Sequence, residues 1–360
     1  MTGRGVDQIL PHPCNPRLYE DGVHSALDYV YLAEVANGEI RKPADLSYIW
    51  GAALAELGRE RSDARIINLE TSITHSEAYV PKGINYRMSP ENAGCLGAAG
   101  VDCCVLANNH VLDWGQAGLL ETLSTLDRLK IKTSGAGQNL DDAWAPAILN
   151  ISGEGRVLVF SCASVTSGAP HSWAAKRERP GIALLPDFSE KSVALIANEV
   201  ARVKRQSDVT IMSLHWGPNW GYHVPDQQRR FAHELIDKAD ISILHGHSSH
   251  HAKGIEVYRN RLILYGCGDF LNDYEGISGY EEFRGDLALM YFVELEQASG
   301  NLVALEMTPL QIRNFRLNEP TREDVEWLRK RLDKQSRTFG ARVDAKPNGR
   351  LALSWSEIPA

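Results

Sequence analysis

From residue 64 to residue 250 the chain alternates continuous apolar, β-rich segments with amphipathic ones. "ARIINLETS" (64–72), "VDCCVLANNH" (101–110), "RVLVFSCAS" (156–164), "SDVTIMSLHWG" (207–217) and "DISILHGHSSH" (240–250) read as strands. Between them, "SPENAGCLGAAG" (89–100) reads as a short helix that opens on Ser-Pro and closes at Gly. Helices are also predicted over 115–131, 190–204 and 226–239. In the first of these, "GQAGLLETLSTLDRLKI", apolar residues recur at three- and four-residue spacing. Strands that are apolar along their whole length must be covered on both faces. The expected class is therefore α/β, with a sheet that is at least partly parallel. Near residue 255 the texture changes to a hairpin turning at Arg259-Asn260 and two more strands joined at Ser299-Gly300. A charged helix over 322–338 and a short tail follow. No repeat, low-complexity tract or linker divides the 360 residues, so one domain with a β-rich second layer is expected.

Charge and cysteine usage narrow the classes. A net charge of −8 argues against a nucleic-acid partner or an anionic membrane surface. No apolar stretch approaches the roughly 20 residues of a membrane span, and "MTGRGVDQILPHP" lacks the apolar core of a signal peptide. The six cysteines show no C-x-x-C spacing, and Cys103, Cys104 and Cys162 sit inside apolar runs. That pattern suits a reducing, cytoplasmic setting.

In open α/β sheets, ligands bind beyond the carboxyl ends of the strands. Here the first strand ends at Glu70, the second at Asn108-Asn109-His110 and the fourth at His215-Trp216-Gly217. The fifth carries His245, His247, His250 and His251, four of the chain's twelve histidines. Each has a plain structural alternative. Glu70 can cap a helix or face solvent, Asn108-Asn109 can be turn chemistry, and His215 can be a packed core histidine. The coincidence on one rim points instead to a metal site, since imidazole is the commonest metal-binding side chain. Carboxylate, amide oxygen and imidazole together suit Zn, Mn or Fe, and with more oxygen ligands Ca. The absence of thiolates favours an open catalytic site over a closed structural one.

At these residues the chain resembles the CapA family, the capsule-synthesis or poly-γ-glutamate-biosynthesis proteins of the metallo-dependent phosphatase (calcineurin-like) superfamily. The matching stretches include "NLETSIT" (68–74), "KGINYRMSPENAGCLGAAGVDCCVLANNHVLDWG" (82–115), "LHWGPNWGYHVPDQQRRFAHELIDKADISILHGHSSH" (214–250) and "GIEVYRNRLILYGCGDFLND" (254–273). The resemblance implies a calcineurin-like metallophosphatase fold: a two-layer β-sandwich flanked by helices, with a metal site at the strand C-terminal ends. Residues 1–275 would form its core. Residues 276–360 would complete the second sheet and add a C-terminal helix in the same domain.

Glu70, Asn109, His215 and His247 match positions near a divalent metal, with His245 or His250 as further ligands. His110 matches a proton-transfer histidine. Asp113 either orients it or caps the helix at 115. The expected function is metal-dependent acid/base chemistry on a peptide or γ-glutamyl-type substrate, by hydrolysis, transfer or epimerisation. The alternatives are hydrolysis of a small phosphoester and a non-catalytic assembly role in polymer biosynthesis. An Asp-x-His signature is absent, which favours one metal over two. Trp114, Trp216, Trp220 and Tyr222 form either a pocket wall or core packing. Lys82 and Arg87 clamp an anionic group or are solvated loop charges. In the resembled family a strand ending in a metal-binding Gly-Asp precedes a Gly-Arg-Gly stretch. Here that stretch follows Met1 directly, so about 10–20 preceding residues are expected in the natural protein. Otherwise Asp7 or a water fills the position.

Overall fold

A computed structural model describes residues 1–152 and 155–356. Its principal elements, in chain order, are α1 (Ala26–Asn37), β1 (Ile66–Asn68), β2 (Cys103–Val105), α2 (Gly115–Arg128) and β3 (Lys132–Ser134). Then come β4 (Arg156–Ser164), α3 (Glu190–Val203), β5 (Val209–His215), α4 (Asp226–Ala239) and β6 (Ile243–His247). The chain continues through β7 (Ile255–Tyr258), β8 (Arg261–Leu264), β9 (Leu287–Leu295), β10 (Leu302–Arg313), α5 (Arg322–Ser336), β11 (Ala341–Ala345) and β12 (Leu351–Trp355). The short tail expected after the last helix is instead an antiparallel hairpin, β11–β12, joined to β10. The helix expected over 89–100 is a single 3₁₀ turn at Pro90–Asn92 followed by Gly94–Ala98.

β4, β5, β6 and β8 lie side by side and parallel, with β7 antiparallel at one edge. Their register sets the rim: Ala163, His215 and His247 stand in one row, and Ser213 stands beside His245. Gly246 separates the two histidines of β6. A Cβ there would lie 2.4 Å from the Leu264 carbonyl and 2.8 Å from the Trp216 indole nitrogen, so no larger residue fits. β1, β2 and β3 form a small parallel sheet, and β9, β10, β12 and β11 an antiparallel one.

Three apolar clusters follow from this arrangement. On one face of the large sheet, Phe160, Met212, Leu214 and Leu244 pack on Val193 and Ile196 of α3 and Phe231 and Leu235 of α4. On its other face, Val159, Ile211 and Ile243 meet Cys103 and Val105 of β2, Leu287 and Leu289 of β9 and Met307 of β10. The third cluster lies beyond β2 and β9, where Cys104, Ala288 and Met290 meet Tyr29 and Ala33 of α1 and Leu119 of α2. Chain beyond residue 275 therefore contributes to two clusters shared with the earlier part. Each fully buried large side chain stabilises by about 1.5–3 kcal/mol, so the fold rests on these clusters and not on the polar rim.

The N-terminal segment is fixed by Arg4, whose backbone takes a positive φ of 55°. Its buried guanidinium donates to both carboxylate oxygens of Asp273, at 2.8 and 2.6 Å, and to Glu20 at 3.2 Å. It also stacks over the Tyr29 ring at 3.6 Å. No helix among the described residues is long and apolar enough to cross a membrane.

Candidate active site

β5 and β6 carry His215 and His247 to the same level of the sheet, and their Nδ1 atoms approach to 2.6 Å. His215 Nε2 faces Asn109 Oδ1 at 3.1 Å and Glu70 Oε1 at 3.7 Å. Ser213 Oγ lies 2.8 Å from His247 Nε2 and 3.0 Å from His245 Nδ1. Both groups facing His215 Nε2 are acceptors, which sets a proton on that nitrogen in the neutral ring. The rest of the chain follows by donor–acceptor matching. His247 Nδ1–H donates to His215 Nδ1, the Ser213 hydroxyl donates to His247 Nε2, and His245 Nδ1–H donates to Ser213 Oγ. Burial pushes the His245 imidazole down to about 4. It also holds His215 below its ordinary range, and His247 further below with His215 as a second cause.

Among the described residues, no three His, Cys, Asp or Glu side chains form a ready-made metal cage. The donors that come closest are mixed in kind: the Glu70 carboxylate, the Asn109 amide oxygen and His215 Nε2. Their separations of 3.1 and 3.7 Å suit ligands sharing one ion, since metal–ligand bonds near 2.0–2.2 Å hold donors about that far apart. His247 presents its Nδ1 to the far nitrogen of His215, so it joins this set only by turning its ring. His245 sits behind Ser213.

Asn108 ties the ends of β1 and β2 together. Its amide nitrogen donates to Asn68 Oδ1 and to the Leu69 carbonyl, and its Oδ1 accepts from the backbone of His110 and Val111. His110 is thereby fixed with Nδ1 2.7 Å from Asp113 Oδ2. Lys82 Nζ lies 2.9 Å from Asp113 Oδ1 and also donates to the Asn109 carbonyl. The Tyr86 backbone donates to Asp113 Oδ2 at 2.7 Å, and its ring meets His110 edge-on. Helix α2 begins after Trp114 without a side-chain cap. Asp113 is thus the partner of His110 and not a helix cap. Burial pushes its carboxyl up to about 7, against the pull of Lys82. Burial, and next the Lys82 charge, holds His110 well below the usual imidazole range.

His250 belongs to a third group. Its Nδ1 is 3.1 Å from Asp269 Oδ1, and the Asn272 amide donates to Asp269 Oδ2 at 2.9 Å. Burial works against its charge, but Asp269 outweighs burial and raises the His250 imidazole. Tyr274 OH lies 3.5 Å from His250 Nε2 and 3.1 Å from Tyr86 OH, which links this group to the His110 side. Trp220 stands 5.3 Å from the His250 ring and stacks on Tyr280 at 4.3 Å.

The remaining sequence-predicted residues divide cleanly. Lys82 is brought into the His110–Asp113 pair, and Trp220 stands at the mouth. Trp216 is buried core, donating to the Tyr265 carbonyl. Arg87 lies elsewhere: it is buried over Trp114 and donates to the carbonyls of Ser76 and Asn15 and to Glu77. Asp7 does not reach the rim, because its carboxylate accepts from Cys14, Ser89 and Asn92. Asp269, Asn272, Tyr274 and Tyr86 were not anticipated. The first had a usable signal: "YGCGDF" puts an acid just past an apolar strand, as at the other strand ends.

Residues 1–274 match the family described as "Bacterial capsule synthesis protein PGA_cap". The chain belongs to that family. Every rim residue from Glu70 to Asn272 lies within the PGA_cap match. A "Probable polyglutamine synthesis accessory protein" of Mycobacterium tuberculosis is 47% identical over 355 residues, covering 98% of this chain and 93% of the relative. The "PGA biosynthesis protein CapA" of Bacillus subtilis is 27% identical over 68% of this chain and 60% of its own. The "Capsule biosynthesis protein CapA" of Bacillus anthracis is 24% identical over 64% and 53%.

Proposed function

We propose that this PGA_cap protein performs metal-dependent acid/base chemistry on a peptide or γ-glutamyl-type substrate, by hydrolysis, transfer or epimerisation at an amide-linked residue. The observation that carries the reading is the adjacency of Asn109 and His110. One residue faces the Glu70–His215 donors, and the next is a buried imidazole backed by Asp113. In this reading Glu70, Asn109 and His215 hold a divalent cation (Mn, Zn, Fe or Ca), His247 joins by turning its ring, and His245 or His250 supplies any further contact. The cation supplies polarisation of a bound oxygen and a lowered water pKa. Asp113 keeps the His110 proton on Nδ1, which leaves Nε2 to take or return a proton. Lys82 holds Asp113 in place, and Trp220 walls the mouth. The packing of two strand layers between helices supports a calcineurin-like two-layer sandwich in which 1–275 and 276–360 form one domain.

The relatives' names, which speak of polyglutamine synthesis and of PGA biosynthesis, support a substrate of the peptide class. A second reading, a non-catalytic assembly role, is favoured by the word "accessory" in the mycobacterial name. Elemental analysis of the purified protein, with turnover assays on γ-glutamyl peptides and on a phosphodiester reporter, separates the readings. Bound metal with peptide turnover alone is expected. Turnover of the reporter alone would replace the proposal with phosphoester hydrolysis, and metal-free folding with no turnover would replace it with the assembly role.

A further inference from the structure

Beside His250 the rim opens on a row of rings that belongs to none of the three apolar clusters. Trp220 lies against His250 and stacks on Tyr280. Phe283 stands 5.3 Å from Trp220 and 5.4 Å from Tyr222. The His251 ring touches both ends of that step, at 4.8 Å from Phe283 and 4.5 Å from Tyr222. Trp220, Tyr222 and Phe283 are half-buried, and Tyr280 is 48% exposed. Rings of this size normally contribute most by being buried in a core, so four of them side by side at the surface form a wall for something else.

The row ends at Arg331 of α5, whose guanidinium lies over the Tyr222 ring at 4.6 Å and over the Trp327 ring at 5.1 Å. A second guanidinium, that of Arg284, shares the Trp327 ring at 5.8 Å. The two differ in their partners. Arg284 holds Asp286 at 2.8 Å and Asp324 at 2.6 Å, whereas Arg331 pairs with no carboxylate among the described residues. The Tyr222 hydroxyl is enclosed and, among the described residues, has no hydrogen-bond partner either. Burial raises that hydroxyl, the Arg331 charge pulls it the other way, and the exposed Glu282 adds to the rise. A guanidinium stacked on two rings keeps its in-plane N–H donors free, in the fork geometry that suits a carboxylate. An acceptor is what this end of the row lacks.

We propose that Arg331 and the ring row form a subsite for the free carboxylate of a peptide unit lying away from the reacting bond, so that the substrate is an acidic peptide chain and not a single residue. The proposal rests on the peptide-class reading of the rim and adds to it the charge and extent of the substrate. The rings cover the methylene groups of the chain, and Arg331 takes the carboxylate with two N–H groups. Tyr280, Phe283 and Arg331 all lie past residue 274, outside the stretch that matches the family. Arg331 touches no reacting atom, and its part is specificity.

The test measures binding by fluorescence anisotropy, in the His110→Ala background where turnover is suppressed. One probe is a labelled γ-linked tetraglutamate with free carboxylates, and the other is its carboxamide counterpart. The tetraglutamate is expected to bind, and Arg331→Ala to weaken it at least about tenfold, the scale of a lost hydrogen bond to a charged group. Arg331→Lys should recover only part of the loss, because it restores the charge without the fork. The carboxamide probe should bind weakly and ignore both changes. With His110 restored, Arg331→Ala should raise KM and leave kcat within about twofold. Should Arg331→Ala fail to fold, the two probes on the unaltered side chain and Arg331→Lys decide the matter. Failure of the tetraglutamate to bind, equal binding of both probes, or unchanged affinity in Arg331→Ala overturns the proposal. So does an equal loss for both probes in a variant of lowered unfolding temperature, which would make Arg331 a prop for Tyr222 and Trp327. Arg331-dependent binding without turnover upholds the subsite while overturning the catalytic reading, and peptide turnover indifferent to Arg331 does the reverse.

Discussion

Two buried clusters in this protein combine histidine with glutamate, and they are built on opposite plans. Around Glu256, every acceptor is met by a donor: Arg229 at 2.7 Å, His233 at 3.1 Å and the Tyr265 hydroxyl at 2.6 Å. Burial pushes that carboxyl up, but His233, Arg229 and Tyr265 outweigh burial and hold it below its ordinary range. Around Glu70, one amide donates at 3.0 Å, and the nearest imidazole nitrogen stands 3.7 Å away. Beyond it, His215 contacts His247 directly, and Ser213 links His247 to His245. The Glu256 carboxylate is thus closed by charged and hydroxyl donors, whereas the Glu70 carboxylate keeps one side-chain amide donor and shares the rim with Asn109 and His215.

The largest expected effect tests the second plan directly. His110→Ala should lower turnover by roughly 10²–10⁴-fold, the usual contribution of one general acid or base. Thermal unfolding should be little changed, because the core is apolar. Wild-type turnover in that variant would erase the distinction between the clusters. Next, Glu256→Gln should destabilise the fold by roughly 1–2 kcal/mol, since Tyr265 and the partly exposed Arg229 lose a charged acceptor. Its metal content and chemistry should be unaltered, as read by denaturant unfolding and elemental analysis. The depressed Glu256 carboxyl contributes stability that is present above the ordinary carboxylate range and lost as pH falls through its lowered value. The variant should lack that part of the acid sensitivity.

His215→Ala and Glu70→Ala should do the reverse, lowering bound metal by at least about tenfold while the fold survives. Unchanged stoichiometry in both, by elemental analysis, would show that neither residue holds a metal. The smallest effect concerns pH. As pH rises through about 7, Asp113 ionises and becomes a charged partner for the His110 Nδ1 proton. The activity profile should therefore rise with pH through that region, as an apparent value of the coupled pair. Asp113→Asn should lose this limb with a milder loss of rate than His110→Ala. A raised carboxyl also contributes stability that is fully present below its ordinary range and is lost as pH rises from there to about 7, so wild-type stability should decline across that interval relative to the Asn variant.

What could be read from the sequence was set by periodicity. β4, β5 and β6 are continuous apolar runs, and α2 to α4 carry clear stripes, so their order and the polar strand ends were legible. Helix α1 was not. Leu27, Tyr31 and Val35 are exposed on one face while Tyr29, Val30 and Ala33 are buried on the other, so "ALDYVYLAEVAN" shows no single apolar stripe. β11 and β12 are five residues each and partly polar, and they passed for a tail. In the site, Glu70, Asn109, His110 and His215 could be singled out because each ends a strand or lies within five residues of a strand's end. Arg87 could not be placed: nothing local in "KGINYR" separates a buried guanidinium on Trp114 from a ligand clamp. Whether Asp113 caps a helix or serves His110 required the fold, since both roles use the same spacing.

The Arg4–Asp273 pair has a consequence in time. Its partners are 269 positions apart, and the rim collects Glu70, Asn109, His215 and His250 from across that interval. During synthesis the first of these emerges long before the last, and Arg4 has no Asp273 to meet until just over three-quarters of the chain has been made. Contacts of such long sequence separation form late, because the loop between their ends must be closed first. The clasp that secures the N-terminal segment therefore shuts only after all the strand ends of the rim have been made, so a ribosome-bound fragment ending before residue 273 should hold its early strands without a finished pocket.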